Sequence, residues 1–395
     1  STSLPPSPPA STGGAPASTV AARSTVALGR PCVASAVLSE VASRPPATLR
    51  EAPELWREIA VGVCGWRSKV GAELDFASLH PGPAPRALPL FLGWLRDPAG
   101  VTKFSLETGD SLAPDAVKKA ISALPSLTTL SLSGKKITGA VLTHVAKLPA
   151  ASNLTTLCLD TSGSFSETSQ QAPQALKLLK AASRLTTLAL PPHLASEQFL
   201  RQLSATHRRG RNGGAPLLTR LALTYSFSTC KYDTLACIGQ LFPELEVLDV
   251  HNLSDGHFGG GAHSSITAAL ARGSTFTVAP FPRLRLLSIH RMGGYEANMG
   301  SAECEAVLSA IFAACPVLES LSVTHGQMST GSKKRPVALQ PLPTATRCWD
   351  DVPASLTDLS IHQISLGPDA FAAGVPALRS LSLRECGPHA PAIAA

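Results

Sequence analysis

The chain has 395 residues, of which 44% are hydrophobic and only 15% charged, and its formal net charge is +7. That length fits two or three compact domains or one long repeat array, and the apolar content suffices for a large core. No apolar run reaches the roughly 18 residues of a spanning helix, so no membrane span is expected. The positive charge is too mild to predict nucleic-acid binding by itself.

Residues 1–30 are rich in Ser, Pro, Ala and Thr, carry Arg23 and Arg30, and no acid precedes Glu40. Such a segment buries too little apolar surface to order itself, so a disordered tail is expected. The same composition fits the remnant of an organelle transit peptide. Ser1 in place of Met fits a processed or trimmed chain. Residues 31–100 differ in texture and hold Trp56, Trp66 and Trp94. With Ile59, Leu74, Phe76, Leu88 and Phe91 they predict an N-terminal helical cap. A helix over 86–96 is expected to pack on a first strand at Val101.

From Val101 onward one pattern dominates. LxxLxL, with apolar substitutes, starts at Val101, Leu127, Leu154, Leu185, Leu218, Leu245, Leu284, Leu318, Leu356 and Leu378. The steps between starts are 26, 27, 31, 33, 27, 39, 34, 38 and 22 residues. Side chains alternate along a strand, so the fourth and sixth residues point to one face. A lone strand cannot bury that face, but stacked copies form a parallel sheet with a shared core. Between copies, apolar residues recur at helical spacing: Val117, Ala120 and Ile121; Val141, Leu142 and Val145; Ala175, Leu176 and Leu179; Val307, Ala310 and Ile311. Pro125, Pro149, Pro243, Pro282, Pro316 and Pro376 stop the chain before each following strand. The expected fold is an α/β leucine-rich-repeat solenoid, a horseshoe of about ten strand–helix repeats with the sheet on the concave side. The motif at Leu378, Leu381, Leu383 and Cys386 resembles the ribonuclease-inhibitor-like and cysteine-containing repeat classes.

The residues between the leucines should line the concave face. The fifth motif position runs from Ser105 to Ser382 through small residues, a smooth wall able to accept a bulky partner. The seventh runs from Glu107 and Asp160 to His251, His290, His362 and Arg384. A gradient from acidic to basic would orient a partner electrostatically. The face carries no Trp, Tyr or Phe, the usual interface anchors. Insertions are expected at 161–172, 205–216, 252–263 and 324–353. The last carries Lys333, Lys334 and Arg335, a basic run suited to an acidic partner and shaped like a short nuclear address. The candidate partner-binding residues are therefore His251, His290, His362, Arg384, Lys333, Lys334 and Arg335.

Catalytic and metal motifs are absent. No GxSxG, HExxH or P-loop sequence occurs, so no enzyme and no cofactor are expected. His251, His257 and His263, with Asp249 and Asp255, match no ligand spacing, and Gly259, Gly260 and Gly261 loosen the segment, so no metal site is expected. The nine cysteines are odd in number and none lies in a CxxC, which predicts free thiols in a reducing, intracellular compartment. Beyond Leu383 no polar capping helix is visible, so either a partner covers the last edge or the natural chain continues.

One further resemblance bears on function. Pro53, Leu55, Trp56 and Ile59 match the PxLWxxI segment that follows the F-box in F-box and leucine-rich-repeat proteins, although Pro45 and Pro46 stand where that family has Trp and Arg. The resemblance implies a substrate-recognition adaptor that docks the small adaptor of a cullin ubiquitin ligase. The repeat pattern alone implies a non-enzymatic protein-binding scaffold, in the cytoplasm or nucleus. A subunit of a large ribonucleoprotein or ciliary assembly fits the same pattern. A nucleic-acid scaffold rests on charge alone.

Overall fold

The computed structural model describes residues 72–75 and, with breaks, 98–386; the longer breaks are 109–112, 161–170, 210–217, 225–229, 254–276, 293–300, 326–343 and 367–370. Strand β1 (Ala72–Asp75) comes first. It is followed by β2 (Val101–Thr108), β3 (Thr129–Gly134), β4 (Thr156–Asp160), β5 (Thr187–Leu190), β6 (Arg220–Leu223), β7 (Val247–Val250), β8 (Leu286–Met292) and β9 (Ser320–His325). Next come β10 (Thr344–Ala345), β11 (Asp358–His362), β12 (Ser365–Leu366) and β13 (Ser380–Arg384). Strands β1 to β9, β11 and β13 form one eleven-stranded sheet in chain order, and its pairings are parallel. Every LxxLxL copy supplies one of these strands. The architecture is a leucine-rich-repeat-like α/β solenoid.

Burial follows the motif. Leu130 and Leu132 of β3, Leu157 and Leu159 of β4, and Leu221 and Leu223 of β6 are fully enclosed. Their equivalents Leu381 and Leu383, on the outermost described strand, are only half-buried. Helices cover this leucine face: α1 (Pro114–Ser122), α2 (Gly139–Val145), α3 (Ala172–Ala181), α4 (Glu197–Arg209), α5 (Tyr232–Leu241) and α6 (Ser301–Ala314). Their apolar residues join the strand leucines in one continuous core. Pro114 and Pro173 sit in first turns, where a missing N–H costs nothing.

The second motif position locks neighbouring copies together. The Thr128 carbonyl accepts the N–H of Thr155 at 2.8 Å and of Thr156 at 3.1 Å, and the Thr155 hydroxyl adds a third bond at 3.2 Å. The same clamp repeats from Thr155 to Thr186 and from Thr186 to Thr219. It keeps the strands in step, so the fifth-position residues Ser131, Cys158, Ala189, Ala222, Asp249 and Ser288 stand directly side by side.

The structure departs from the sequence expectations in four places. The helical cap expected over 31–100, with its tryptophans, lies almost wholly outside the described residues; the described part, β1, is a strand that extends the sheet beside β2. The insertion expected from 205 begins inside α4, which Phe199, Leu200 and Leu203 anchor in the core. Two short strands outside the main sheet, β10 and β12, pair in parallel as a small second sheet that the repeat pattern did not predict. Finally, the insertion expected at 324–353 is partly ordered into a 3-10 turn, Cys348–Asp351.

Trp349 pins that turn. It is 2% exposed, donates its indole N–H to the Ala345 carbonyl at 3.1 Å, and packs between Phe312 of α6 and Phe371, with ring centroids 5.9 and 4.9 Å away. Truncating a buried aromatic costs about 3–5 kcal/mol. Trp349→Ala is therefore expected to lower unfolding stability by that amount in urea titrations. A loss below about 1 kcal/mol would show that the turn is not part of the core.

Candidate functional site

The sheet has one face under helices and one open face. The alternation that turns the leucines inward places motif positions three, five and seven on the open face, and apart from buried Ala189 and Pro191 the described ones are half-buried or exposed. Along β3 to β6 most are Ser, Thr or Ala. The wall changes character at β7 and β8. Position three becomes Val247 and Leu286, which pair with each other in register, and Leu286 is 42% exposed. Arg220 precedes them and Ser320 follows. Position five gains Asp249, and position seven becomes His251 and His290. At position two the threonine clamp gives way to Glu246, Arg285 and Glu319, and Arg285 grips Glu319 through two bonds of 2.8 Å.

An irregularity of the sheet lies at the same place. Ile289 pairs with Val323 and Met292 with His325, so His290 and Arg291 together face the single residue Thr324. This is a bulge, which re-aims side chains and increases local twist. Strand β7 keeps step with β8 through it, since Val250 pairs with Ile289 and Leu253 bridges to Met292. The His251 and His290 rings consequently stack with centroids 4.3 Å apart. Nε2 of His290 lies 3.1 Å from Oδ1 of Asp249 and 3.2 Å from the Ser288 hydroxyl. Burial, and then the neighbouring His290, hold the His251 imidazole below its ordinary pKa; Asp249 partly opposes this and Arg291 adds to it.

The sequence-predicted residues thus divide into two groups. His251 and His290 meet, and Asp249 joins them. His362 lies two strands beyond β8, in register with Arg384, and its Nε2 is 3.4 Å from the Glu385 carboxylate. Glu385 also accepts a 2.8 Å bond from Gln363, and that bond and then His362 lower its pKa. Each histidine group therefore has its own acid, so the basic end of the expected gradient is locally balanced. Lys333, Lys334, Arg335, His257 and His263 lie outside the described residues. Val247 and Leu286 escaped the sequence reading, although the alternation that gives positions five and seven also gives position three.

Two other arrangements bear on chemistry. Ser122 and His144 lie 2.7 Å apart on the helix side, a pairing the sequence did not reveal. The Ser122 hydroxyl also bonds the Lys118 carbonyl at 2.8 Å. With its proton committed there, it receives a bond from the ring rather than yielding its proton, the reverse of an activated nucleophile. No disulfide joins the described cysteines, and burial raises the pKa of Cys158, Cys304 and Cys315, so none of these three is a ready thiolate. No described helix is long and apolar enough to cross a membrane.

No family model matches the chain, and no curated protein matches it. Among solved structures, the crystal structure of the TLR13–ssRNA13 complex is similar over 79% of this chain and 41% of that one, at 15% identity and a TM-score of 0.33. This chain spans less than half of that one's length, and a likeness of this degree names neither a family nor a function.

At the end of β9, His325 is 5% exposed, and neither ring nitrogen has a hydrogen-bond partner among the described residues. Burial lowers its pKa below 6.5. An unfolded chain then takes up the proton first as the pH falls, so stability is full above the ordinary histidine range and declines through it. Urea unfolding at pH 7.5 and 5.5 is expected to show a smaller loss on acidification for His325→Phe than for the wild-type chain. Equal losses would contradict the assignment.

Proposed function

We propose that this chain is a non-enzymatic scaffold that binds a protein partner on the open face of its sheet, centred on β7 and β8. The observation that carries this reading is the coincidence of changes there. The core positions of the motif keep their leucines, valines and isoleucines through β7 and β8, while on the open face positions three and seven change type on both strands and position five gains Asp249 on β7. Folding has no need of that, because those side chains do not fill the core. Leu286 offers an exposed apolar anchor in a wall of mostly small and polar side chains, and its surroundings supply charge for orientation. In this reading the partner sits in a concavity, since strands about 4.8 Å apart set against helices about 8–10 Å apart favour a sheet curved toward its open face. His362 and Arg384 flank the centre on one side. Lys333, Lys334 and Arg335, which lie outside the described residues, remain candidate partner contacts on their charge alone.

The finer role is a substrate receptor of a cullin ubiquitin ligase. It is supported by Pro53, Leu55, Trp56 and Ile59, all outside the described residues. In this arrangement the segment before the repeats holds the ligase adaptor and the open face holds the substrate.

Affinity purification from native extract, with mass spectrometry, tests both levels. The wild-type chain is expected to recover a defined set of proteins. Leu286→Glu should lose the substrate but keep the cullin adaptor, whereas Val317→Glu, at the other exposed large apolar residue among those described, should lose neither. Recovery of the same proteins by Leu286→Glu and the wild-type chain would refute the open-face reading. Absence of any cullin component would refute only the ligase role.

A further inference from the structure

We infer that Asp249, His251 and His290 form a site for a divalent transition-metal ion on the open face, and that Zn2+ is the ion their donors suit. The inference rests on geometry and stands apart from the partner reading.

One carboxylate oxygen and two imidazole nitrogens lie within 4.8 Å of one another. In a tetrahedral zinc site with bonds of about 2.0–2.2 Å, donors stand about 3.4 Å apart. Asp249 and His290 already meet that spacing at 3.1 Å. They do so without hydrogen-bond alignment: Oδ1 of Asp249 is buried and accepts no bond from any described residue. A cation shared between Oδ1 of Asp249 and Nε2 of His290 would satisfy that oxygen, displacing the 3.2 Å contact of Nε2 with the Ser288 hydroxyl. The remaining approach is that of His251, whose ring already lies against His290.

The scaffold under these ligands is rigid. Asp249 lies on β7 between buried Leu248 and Val250, and His251, next after the strand, continues its alternation and donates its backbone N–H to the Leu223 carbonyl at 3.0 Å. His290 comes from the paired strand, where the bulge supplies the extra residue that brings it opposite His251. Ligands on packed strands hold position better than ligands on loops. Mixed nitrogen and oxygen donors favour Zn2+ and its transition-metal neighbours over Mg2+ or Ca2+, which prefer oxygen alone. Arg291 sets one opposing charge near His251, and the Asp249 carboxylate is its counterweight. Three protein ligands leave a fourth position, which opens to the uncovered face of the sheet.

The test is titration of the full chain, stripped of metal, with Zn2+ against a chromophoric chelator, followed by Co2+ absorption spectroscopy. Expected are one saturable site per chain and the visible bands of Co2+ with nitrogen and oxygen donors. Asp249→Asn, His251→Ala and His290→Ala should each weaken binding by about tenfold or more, while His362→Ala should not. Circular dichroism and melting temperature confirm that each variant is folded, and Zn2+ should raise the melting temperature of the wild-type chain but not of folded His290→Ala. The inference is overturned by absence of saturable binding, by smaller losses in the three variants, or by an intense thiolate-to-Co2+ band that places the metal on cysteine.

Discussion

The structure depends on one constraint: the fourth and sixth residues of each motif copy must leave water, and no single strand can bury them. Leu130 and Leu132 are enclosed because β2 and β4 flank them and helices close over them. Each core leucine contributes about 1.5–3 kcal/mol of apolar burial, but only once its neighbours are in place. The carbonyl clamp at position two then fixes register to the residue. A slip of one residue would turn every leucine to the open face, so the alternation that builds the core also dictates which residues face outward.

That division makes the open face legible. Positions two, three, five and seven are relieved of core packing, and along β3 to β6 they are mostly Ser, Thr and Ala. At β7 and β8 they become Glu246 and Arg285, Val247 and Leu286, Asp249, and His251 and His290. The sheet bulges at the same point. An apolar anchor, a compact acid–imidazole cluster and a local irregularity of the backbone concentrate on two adjacent strands. The rest of the solenoid is the rigid body that presents them.

Much of the fold could be read from the sequence because a repeat states its message ten times. Strand starts, the inward leucines, and helices α1, α2, α3 and α6 follow from spacing alone. The two helices the sequence did not reveal have physical reasons. In α4, Arg201, Gln202, His207, Arg208 and Arg209 mask the apolar stripe of Phe199, Leu200 and Leu203. In α5, β-branched and polar residues interrupt the run. Trp349 was invisible as a core residue because its partners Phe312 and Phe371 are 37 residues before it and 22 after it. The histidine cluster was legible only in part. His251 was weighed against His257 and His263, its neighbours in sequence. Its neighbour in space is His290, one repeat away, a relation that only the parallel register supplies. Sequence spacing reports ligands along one segment and is blind to ligands that converge across a sheet.

The most direct test of the account is site-specific photo-crosslinking in native extract, with a photoreactive side chain placed in turn at positions 286 and 317. The account predicts one discrete protein adduct from position 286 and none of the same identity from 317. The same adducts from both positions, or an adduct to nucleic acid at 286, would contradict a protein-binding surface centred on β7 and β8.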